Sequence, residues 1–521
     1  MLESRRLFSS VDPSKVAIHD IGQGRETSYQ ELDRESLVLA SALRAAGLMP
    51  GHHIATLMSN QTETIETFWA AQRSGLYYTP VSGRLTAREA AFIIGDCGAE
   101  ALLVSARHER LAAELEASTP EVKHRIAVDG PVDGYVPLTR FVEGNTQEPG
   151  ILETDGMPML YSSGTTGRPK GIKRDLTRGL AGSWQPLAAF QSTALGFDES
   201  TIYLCPAPLY HAAPLNWSMT VHRAGGTLVL MERFDPLEAL RLIERHRVTH
   251  VQFVPTMLSR MLQLPLSVRA GFDLSSLIAV IHAAAPCPPR VKRDSIDWFG
   301  PIVYEYYGTS EGIGLTLISS DEWLKHPGSV GRSISGPIHI VDEEGSALGA
   351  GEDGLVYFDG SSYVSRAEYW GAAAGEQPPL YDDRCWATVG DIGRVDEDGY
   401  LYITERRSDI IISGGVNVYP REVEDVLTSH QVVVDAAVIG VPDADLGERV
   451  LAVVELVDGE RGSEDLEREL LHHCRTQLAG YKCPTSVIFA PRLPRGESGK
   501  MPRKELRLKY AGSQPDSIRQ S

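Results

Sequence analysis

Short apolar runs alternate with stretches of helical period through most of the first 400 residues, the pattern of an α/β protein with largely parallel sheets. The unit from Thr227 to Val254 is the most legible. TLVLM (227–231) reads as a strand, Asp235 and Pro236 supply an N-cap and a first helical residue, LEALRLIERH follows at helical period, and VTHVQFV (248–254) returns as a strand. This order predicts a βαβ crossover. Two further strands, LIAVIH (277–282) and PIVYEYY (301–307), run directly into the small or glycine-bearing segments AAAP and GTSEG. Ligands of open α/β sheets sit beyond the carboxyl ends of strands, so both segments are expected to wall a pocket.

Beyond about residue 400 the units shorten. Strand-like AAVIGV (436–441) and VLAVVEL (450–456) precede a helix-like SEDLERELLHHCRTQL and a strand SVIFA (486–490), which together predict a separate domain of roughly a hundred residues. The final YAGSQPDSIRQS is polar and expected to fray.

Length and composition narrow the function without naming it. A chain of 521 residues exceeds one hydrophobic core, and 42% apolar residues suffice for two or more. With 50 Lys and Arg against 69 Asp and Glu the net charge is -19, which opposes general attraction to nucleic acid or anionic membrane. A polyanionic ligand must therefore be held locally. The six cysteines are scattered with no CxxC pair, the usage of a reduced, cytoplasmic protein. The start, MLESRRLFSS, has two arginines but no apolar run behind them, and no 18-residue uncharged apolar stretch occurs, so neither secretion nor a membrane span is expected. His472, His473 and Cys474 adjoin in a helical setting without other spaced ligands, which argues against a metal cluster.

Chemistry concentrates first in YSSGTTGRPKGI (161–172). Glycines let several backbone N–H groups converge on one point, and such a nest holds phosphate oxygens. Ser162, Ser163, Thr165 and Thr166 add hydroxyl donors around Gly164 and Gly167, and Lys170 adds a point charge. The same composition also suits a solvated turn. Neither the Walker pattern GxxxxGK(S/T) nor GxGxxG is matched, so neither a Walker-type NTPase nor a Rossmann dehydrogenase is supported.

Four stretches taken in order go further: YSSGTTGRPKGI, YYGTSEG (306–312), GDIGRVDEDGYLYITERRSDIIISGGVNVYPREVE (390–424) and LPRGESGKMPRKEL (493–506). Together they resemble the adenylate-forming superfamily of acyl-CoA synthetases, peptide-synthetase adenylation domains and luciferases, and SGGVNVYPREVE looks most like the acyl-CoA synthetases. The resemblance implies a large N-terminal domain of layered mixed α/β sheets (1–406), a small mobile C-terminal α+β domain (407–510) and a flexible tail (511–521). It also implies two half-reactions: a carboxylate attacks the α-phosphorus of ATP, giving acyl-AMP and pyrophosphate, and a thiol then attacks the acyl carbon. Both demand management of converging negative charge.

By this resemblance Lys500 is the adenylation lysine, bridging carboxylate and α-phosphate, and Glu311 is the Mg²⁺-associated glutamate. Ser310 would donate to the α-phosphate and Thr309 and Gly308 would complete that loop, with Ala284 and Ala285 beside the nucleotide. Tyr307 would face adenine, or alternatively pack in a core with Tyr304 and Tyr306. Asp391 would take the ribose hydroxyls and Arg406 ribose and phosphate. Val389 stands where the family has a threonine. Ser408 occupies the hinge position usually held by Asp or Lys, with Asp409 able to share that role. Gly414 and Gly415 would flank pantetheine, and His211 would border the acyl pocket and gate the thiol tunnel. Ala212, Ala213, Ala283 and Gly308 would line that pocket, with Trp184 and Trp217 as aromatic walls or core residues.

Three functions remain open at this stage: an ATP- and Mg²⁺-dependent carboxylate:CoA ligase, an amide-forming ligase in which an amine captures the acyl-adenylate, and a non-catalytic acyl or nucleotide sensor. The acid itself and the oligomeric state are not readable.

Overall fold

The computed structural model describes residues 7–145, 154–162, 169–176, 188–361, 366–371, 380–406, 409–413, 416–443, 446–496 and 499–511. Two sheets dominate the first 330 residues. One runs in the order Val303–Glu305, Ala279–His282, His250–Phe253, Ile202–Cys205, Thr227–Leu230, Val16–Asp20 and Arg25–Ser28, parallel except for the last pair. The other, wholly parallel, runs Val136–Pro137, His124–Ala127, Ala99–Val104, His53–Leu57, Tyr77–Pro80 and Met157–Pro158.

The two-residue period of the strands explains how these sheets layer. Tyr203, Cys205, Leu228, Leu230 and Ile281 join Ile54, Tyr78 and Ala101 of the second sheet in one central core, which also holds the inward faces of the helices Tyr29–Ala45, Thr62–Arg73 and Ala212–Arg223. The alternate residues Leu204, Val229, Val251 and Val280 face a second core under the helices Pro236–His246 and Pro255–Leu262. Ala55, Leu57 and Leu102 do the same for the other sheet. The N-terminus of Tyr29–Ala45 is set by a reciprocal cap between Ser28 and Glu31, and Thr86 with Glu89 repeats the device on Ala87–Cys97.

The expected unit at 227–254 is present. Asp235 accepts from the N–H groups of Leu237 and Glu238 at 3.0 and 2.9 Å, starting the helix Pro236–His246. Its two strands do not pair with each other, however: Ile202–Cys205 lies between them and runs parallel to both. The largely parallel expectation also needs correction past residue 337. Ile338–Val341, Gly354–Asp359, Asp391–Val395 and Leu401–Arg406 form an antiparallel sheet. Its tightest connection is a turn in which Gly399 N–H donates to Asp396 at 3.0 Å with Gly399 at φ +84°, too short for the helical crossover that parallel strands need.

The C-terminal region has its own cores, drawn wholly from residues 411–510, whereas the other cores draw on residues up to 403. The strands Val433–Asp443 and Gly447–Leu456 pair antiparallel, and Ser486–Ala490 adds parallel to the second. The helices Pro420–Ser429, Glu464–Gln477 and Arg503–Tyr510 cover this sheet. All six cysteines are free, and among the described residues no helix is long and apolar enough to cross a membrane.

Candidate active site

The carboxyl ends of the strands Ala279–His282 and Val303–Glu305 lie side by side, so Ala283–Ala285 and Tyr306–Glu311 emerge as neighbouring loops. Ala284 stands at φ +77°, a left-handed conformation that L-residues rarely adopt and that concentrates at functional sites. Beneath the loops the Lys292 ammonium lies 2.5 Å from the Glu305 carboxylate, both groups buried, and holds that carboxyl below its ordinary range against the opposing effect of burial.

The two tyrosines at 306 and 307 part company. Tyr306 is buried; its oxygen accepts from Trp217 Nε1 at 3.2 Å and from Gln252 Nε2 at 2.6 Å. Trp217 is 1% exposed and stacks on Tyr306 at 5.6 Å and 28°. Tyr307 is half-buried, donates its hydroxyl to Asp391 Oδ2 and stacks on Phe358 at 6.0 Å and 18°. Asp391, 3% exposed, opens the strand Asp391–Val395. Val389 packs against the core of the antiparallel sheet, while Thr388, one residue earlier, accepts from Gly390 N–H at 3.0 Å and braces the turn into Asp391.

Thr309 carries a buried hydroxyl oxygen with no hydrogen-bond partner among the described residues. Its carbonyl accepts from Gly312 N–H at 2.9 Å, closing a turn around Ser310 and Glu311. The Glu311 carbonyl accepts from Arg174 Nη2 at 2.8 Å, which ties this turn to the end of the strand Lys170–Lys173. Lys170 pairs with Ser162 across two antiparallel strands, so the ends of the glycine-threonine stretch are held together, and the Lys170 ammonium lies 5.2 Å from the Tyr369 ring. Gly308 pairs with Leu315, whose side chain would stand 3.2 Å from any Cβ placed there.

The C-terminal region reaches the same place. A Cβ built on Gly499 would lie 3.4 to 3.5 Å from Val254, Ala285 and Thr256, so the segment carrying Lys500 touches the loops after His250–Phe253 and Ala279–His282. Arg495 braces the segment: its Nε and Nη2 engage both oxygens of Asp435 at 2.5 and 2.8 Å, and its Nη1 donates to the Gly499 carbonyl at 3.0 Å. The Lys500 charge is felt at His211, whose imidazole is pushed down to about 4, first by burial and then by that ammonium. His211 is the residue before the helix Ala212–Arg223, and Ala212 and Ala213 form the first turn beside it.

Ser163, Gly164, Thr165, Thr166, Gly167, Trp184, Ser408, Gly414 and Gly415 lie outside the described residues. Arg406 ends the strand Leu401–Arg406, and Asp409, just past the expected hinge, has Oδ2 3.6 Å from Arg503 Nε. His473 is occupied with Ser429 Oγ at 2.9 Å and the Val426 carbonyl at 3.1 Å, and burial pushes the Cys474 thiol up to about 12. Among the described residues no three His, Cys, Asp or Glu could together hold a metal ion.

The ends of these parallel strands carry hydroxyls and carboxylates and meet the C-terminal region at Gly499, the place where open α/β sheets hold their ligands. Residues 8–369 match the AMP-binding enzyme family and residues 422–500 the AMP-binding enzyme C-terminal domain, and the chain belongs to this family of adenylate-forming enzymes. A feruloyl-CoA synthase of an Amycolatopsis species is 35% identical over 493 residues, 94% of each chain. A long-chain-fatty-acid–CoA ligase of Mycobacterium tuberculosis is 31% identical over 518 residues, 98% of each. Among solved structures, the amide bond synthetase McbA from Marinactinospora thermotolerans superimposes with a TM-score of 0.83 at 27% identity, covering 97% of this chain and 98% of its own.

Proposed function

We propose that the protein is an ATP-dependent carboxylate:CoA ligase that activates an organic acid as its acyl-adenylate, releases pyrophosphate and passes the acyl group to the CoA thiol. The observation that carries this reading is the contact of Gly499 with Val254 and Ala285, which brings Lys500 to the strand ends where Tyr307, Asp391 and Glu311 are gathered. The CoA ligases among its relatives support thiol over other acceptors.

In this reading the glycine-threonine stretch, Lys170, Ser310 and Thr309 take phosphate oxygens; the Thr309 hydroxyl, without a partner among the described residues, is free to donate to one. Asp391 accepts from the ribose hydroxyls with Arg406 beside it, and Tyr307, held by its bond to Asp391, presents its ring to adenine. Lys500 neutralises the carboxylate and α-phosphate as they meet, charge stabilisation that a compact ammonium supplies well. A lone Glu311 suits Mg²⁺ that arrives on phosphate and keeps its waters, where the cation would offset phosphate charge. The neutral His211 can border the reacting carbonyl without adding a competing cation. Division at 406/407 with rotation about Ser408 and Asp409 would then withdraw Lys500 and bring Gly414 and Gly415 to the pantetheine. The free thiols fit a reduced cytoplasm.

Capture by an amine is the second reading, favoured by the likeness to an amide bond synthetase. Incubation of the full chain with an acid panel, Mg²⁺-ATP and either CoA or an amine separates the two: thioester without amide supports the ligase, amide without need of CoA the alternative. Pyrophosphate exchange with none of the acids would leave only a sensor.

A further inference from the structure

We infer that Arg174 is the positioning residue of the Glu311 turn: its guanidinium ties that turn to the end of the strand Lys170–Lys173 and so sets how strongly Mg²⁺ tightens the binding of ATP. This rests on the adenylation reading above, in which Glu311 serves the magnesium-bound nucleotide.

Arg174 follows the strand Lys170–Lys173, whose first residue pairs with Ser162 across the glycine-threonine stretch. Its backbone is anchored on the second sheet. The Arg174 carbonyl accepts from the Tyr77 hydroxyl at 2.8 Å, and Tyr77 is a buried residue of the strand Tyr77–Pro80. The head of the side chain reaches the other sheet: Nη2 donates to the Glu311 carbonyl at 2.8 Å and approaches the Gly312 carbonyl at 3.4 Å, in the loop that follows the strand Val303–Glu305. One half-buried arginine therefore joins the exit of the glycine-threonine stretch to the turn that carries Glu311.

The turn is fitted to this arginine. Gly312 stands at φ +61°, and a Cβ there would collide with the Arg174 guanidinium, so glycine at 312 both permits the left-handed backbone and leaves room for the head group. The turn's own bond, from Gly312 N–H to the Thr309 carbonyl at 2.9 Å, closes its ends. The donation from Arg174 fixes the peptide between Glu311 and Gly312. Rotation of that peptide would carry the Glu311 side chain with it, and a carboxylate that serves Mg²⁺ has little latitude because this cation demands near-octahedral geometry. A lysine at 174 keeps the charge but not the two hydrogens held in one plane that meet both carbonyls.

The test is nucleotide binding to the full-length protein, read by titration calorimetry with α,β-methylene-ATP, which cannot form the adenylate, in excess Mg²⁺ and again in EDTA. We expect Mg²⁺ to tighten binding to the wild type and Arg174→Ala to cut that gain roughly tenfold, with binding in EDTA changed far less, since hydrogen bonds from a charged donor are the strong ones. Arg174→Lys should keep part of the gain. In a Glu311→Gln background Arg174→Ala should remove little more, because a residue acting through another then has nothing to act through. Urea midpoints without nucleotide show which variants are folded, and Arg174→Lys carries the comparison if Arg174→Ala is not. A Mg²⁺ gain undiminished in the folded variants, or a loss of the same size with Glu311→Gln present, overturns the inference and leaves adenylation intact. A wild type that binds the nucleotide equally with and without Mg²⁺ overturns it as well. No binding of the nucleotide under either condition defeats the adenylation reading itself, and this inference with it.

Discussion

Gly499 rests against Ala285: a Cβ on the glycine would stand 3.5 Å from that of the alanine, across the seam between the C-terminal region and the strand ends. The residue before Lys500 therefore meets the strand ends at this seam, and Lys500 is proposed to act from there. Lys500→Ala is expected to slow acid-dependent pyrophosphate release roughly 100-fold or more, the loss of about 3 kcal/mol of transition-state stabilisation. Transfer to CoA from supplied acyl-adenylate should stay near the wild-type rate. Unchanged pyrophosphate release would remove Lys500 from the mechanism.

Arg495 shapes the segment that delivers the lysine. It engages both Asp435 oxygens and the Gly499 carbonyl, and Gly499 itself holds φ +74°. A lysine at 495 keeps the charge but loses the planar fork. Arg495→Ala should lower the adenylation rate roughly tenfold, on the order of 1.4 kcal/mol, with little change in the KM for ATP, and Arg495→Lys should recover only part of it. The discriminating measurement is the second half-reaction: a general loss of folding slows both, a misplaced Lys500 only the first.

His282 offers a pH test. It is wholly buried, neither ring nitrogen has a hydrogen-bond partner among the described residues, and Glu305 and Lys292 face it. Burial, opposed by the Glu305 carboxylate and aided to a smaller extent by the Lys292 charge, pushes its imidazole down to about 4, whereas in the unfolded chain it titrates near 6.5. Between those values the unfolded chain binds a proton that the folded chain refuses, so this contribution to stability is complete above 6.5 and is lost as pH falls towards 4. His282→Leu should therefore gain on the wild type as pH falls, by about 2 kcal/mol at pH 5 relative to pH 7.5. Urea unfolding of both proteins at the two pH values measures this, and a constant difference would show that His282 titrates normally.

Much of this was legible in the sequence where local rules act alone. Asp235 and Pro236 announce their helix because an N-cap needs only the next three residues, and Ser486–Ala490 is a strand of the expected extent because its apolar run is bounded on both sides. The antiparallel sheet after Ile338 was not anticipated: its strands are short and half-buried, as in Gly354–Asp359, where alternation competes with turn residues. Contacts between distant residues were out of reach altogether. Tyr307 and Asp391 are 84 residues apart, and Trp217 and Tyr306 89, so motif order could propose both tyrosines as one aromatic cluster but not separate a core ring from one at the crevice.

Arg503 joins elements on both sides of the expected hinge. Its guanidinium lies 4.0 Å from Glu405, before residues 407–408, and 3.6 Å from Asp409, after them. It also bonds Glu424 at 3.0 Å and the Val438 carbonyl at 2.8 Å. Glu424 is held ionised by this partner despite its burial. Arg503→Met strands that carboxylate and should cost about 3 to 5 kcal/mol, whereas Arg503→Met with Glu424→Met should recover most of the loss, since a buried pair replaced by apolar groups is often neutral. Urea midpoints of the single and double variants decide this; a double variant as unstable as the single would mean that packing, not the stranded charge, sets the cost. The longer Glu405 contact bears on motion instead. If it favours the orientation that docks Lys500, Glu405→Gln, which keeps an oxygen for the Arg421 N–H that Glu405 accepts from at 3.0 Å, should lower the adenylation rate relative to thioester formation.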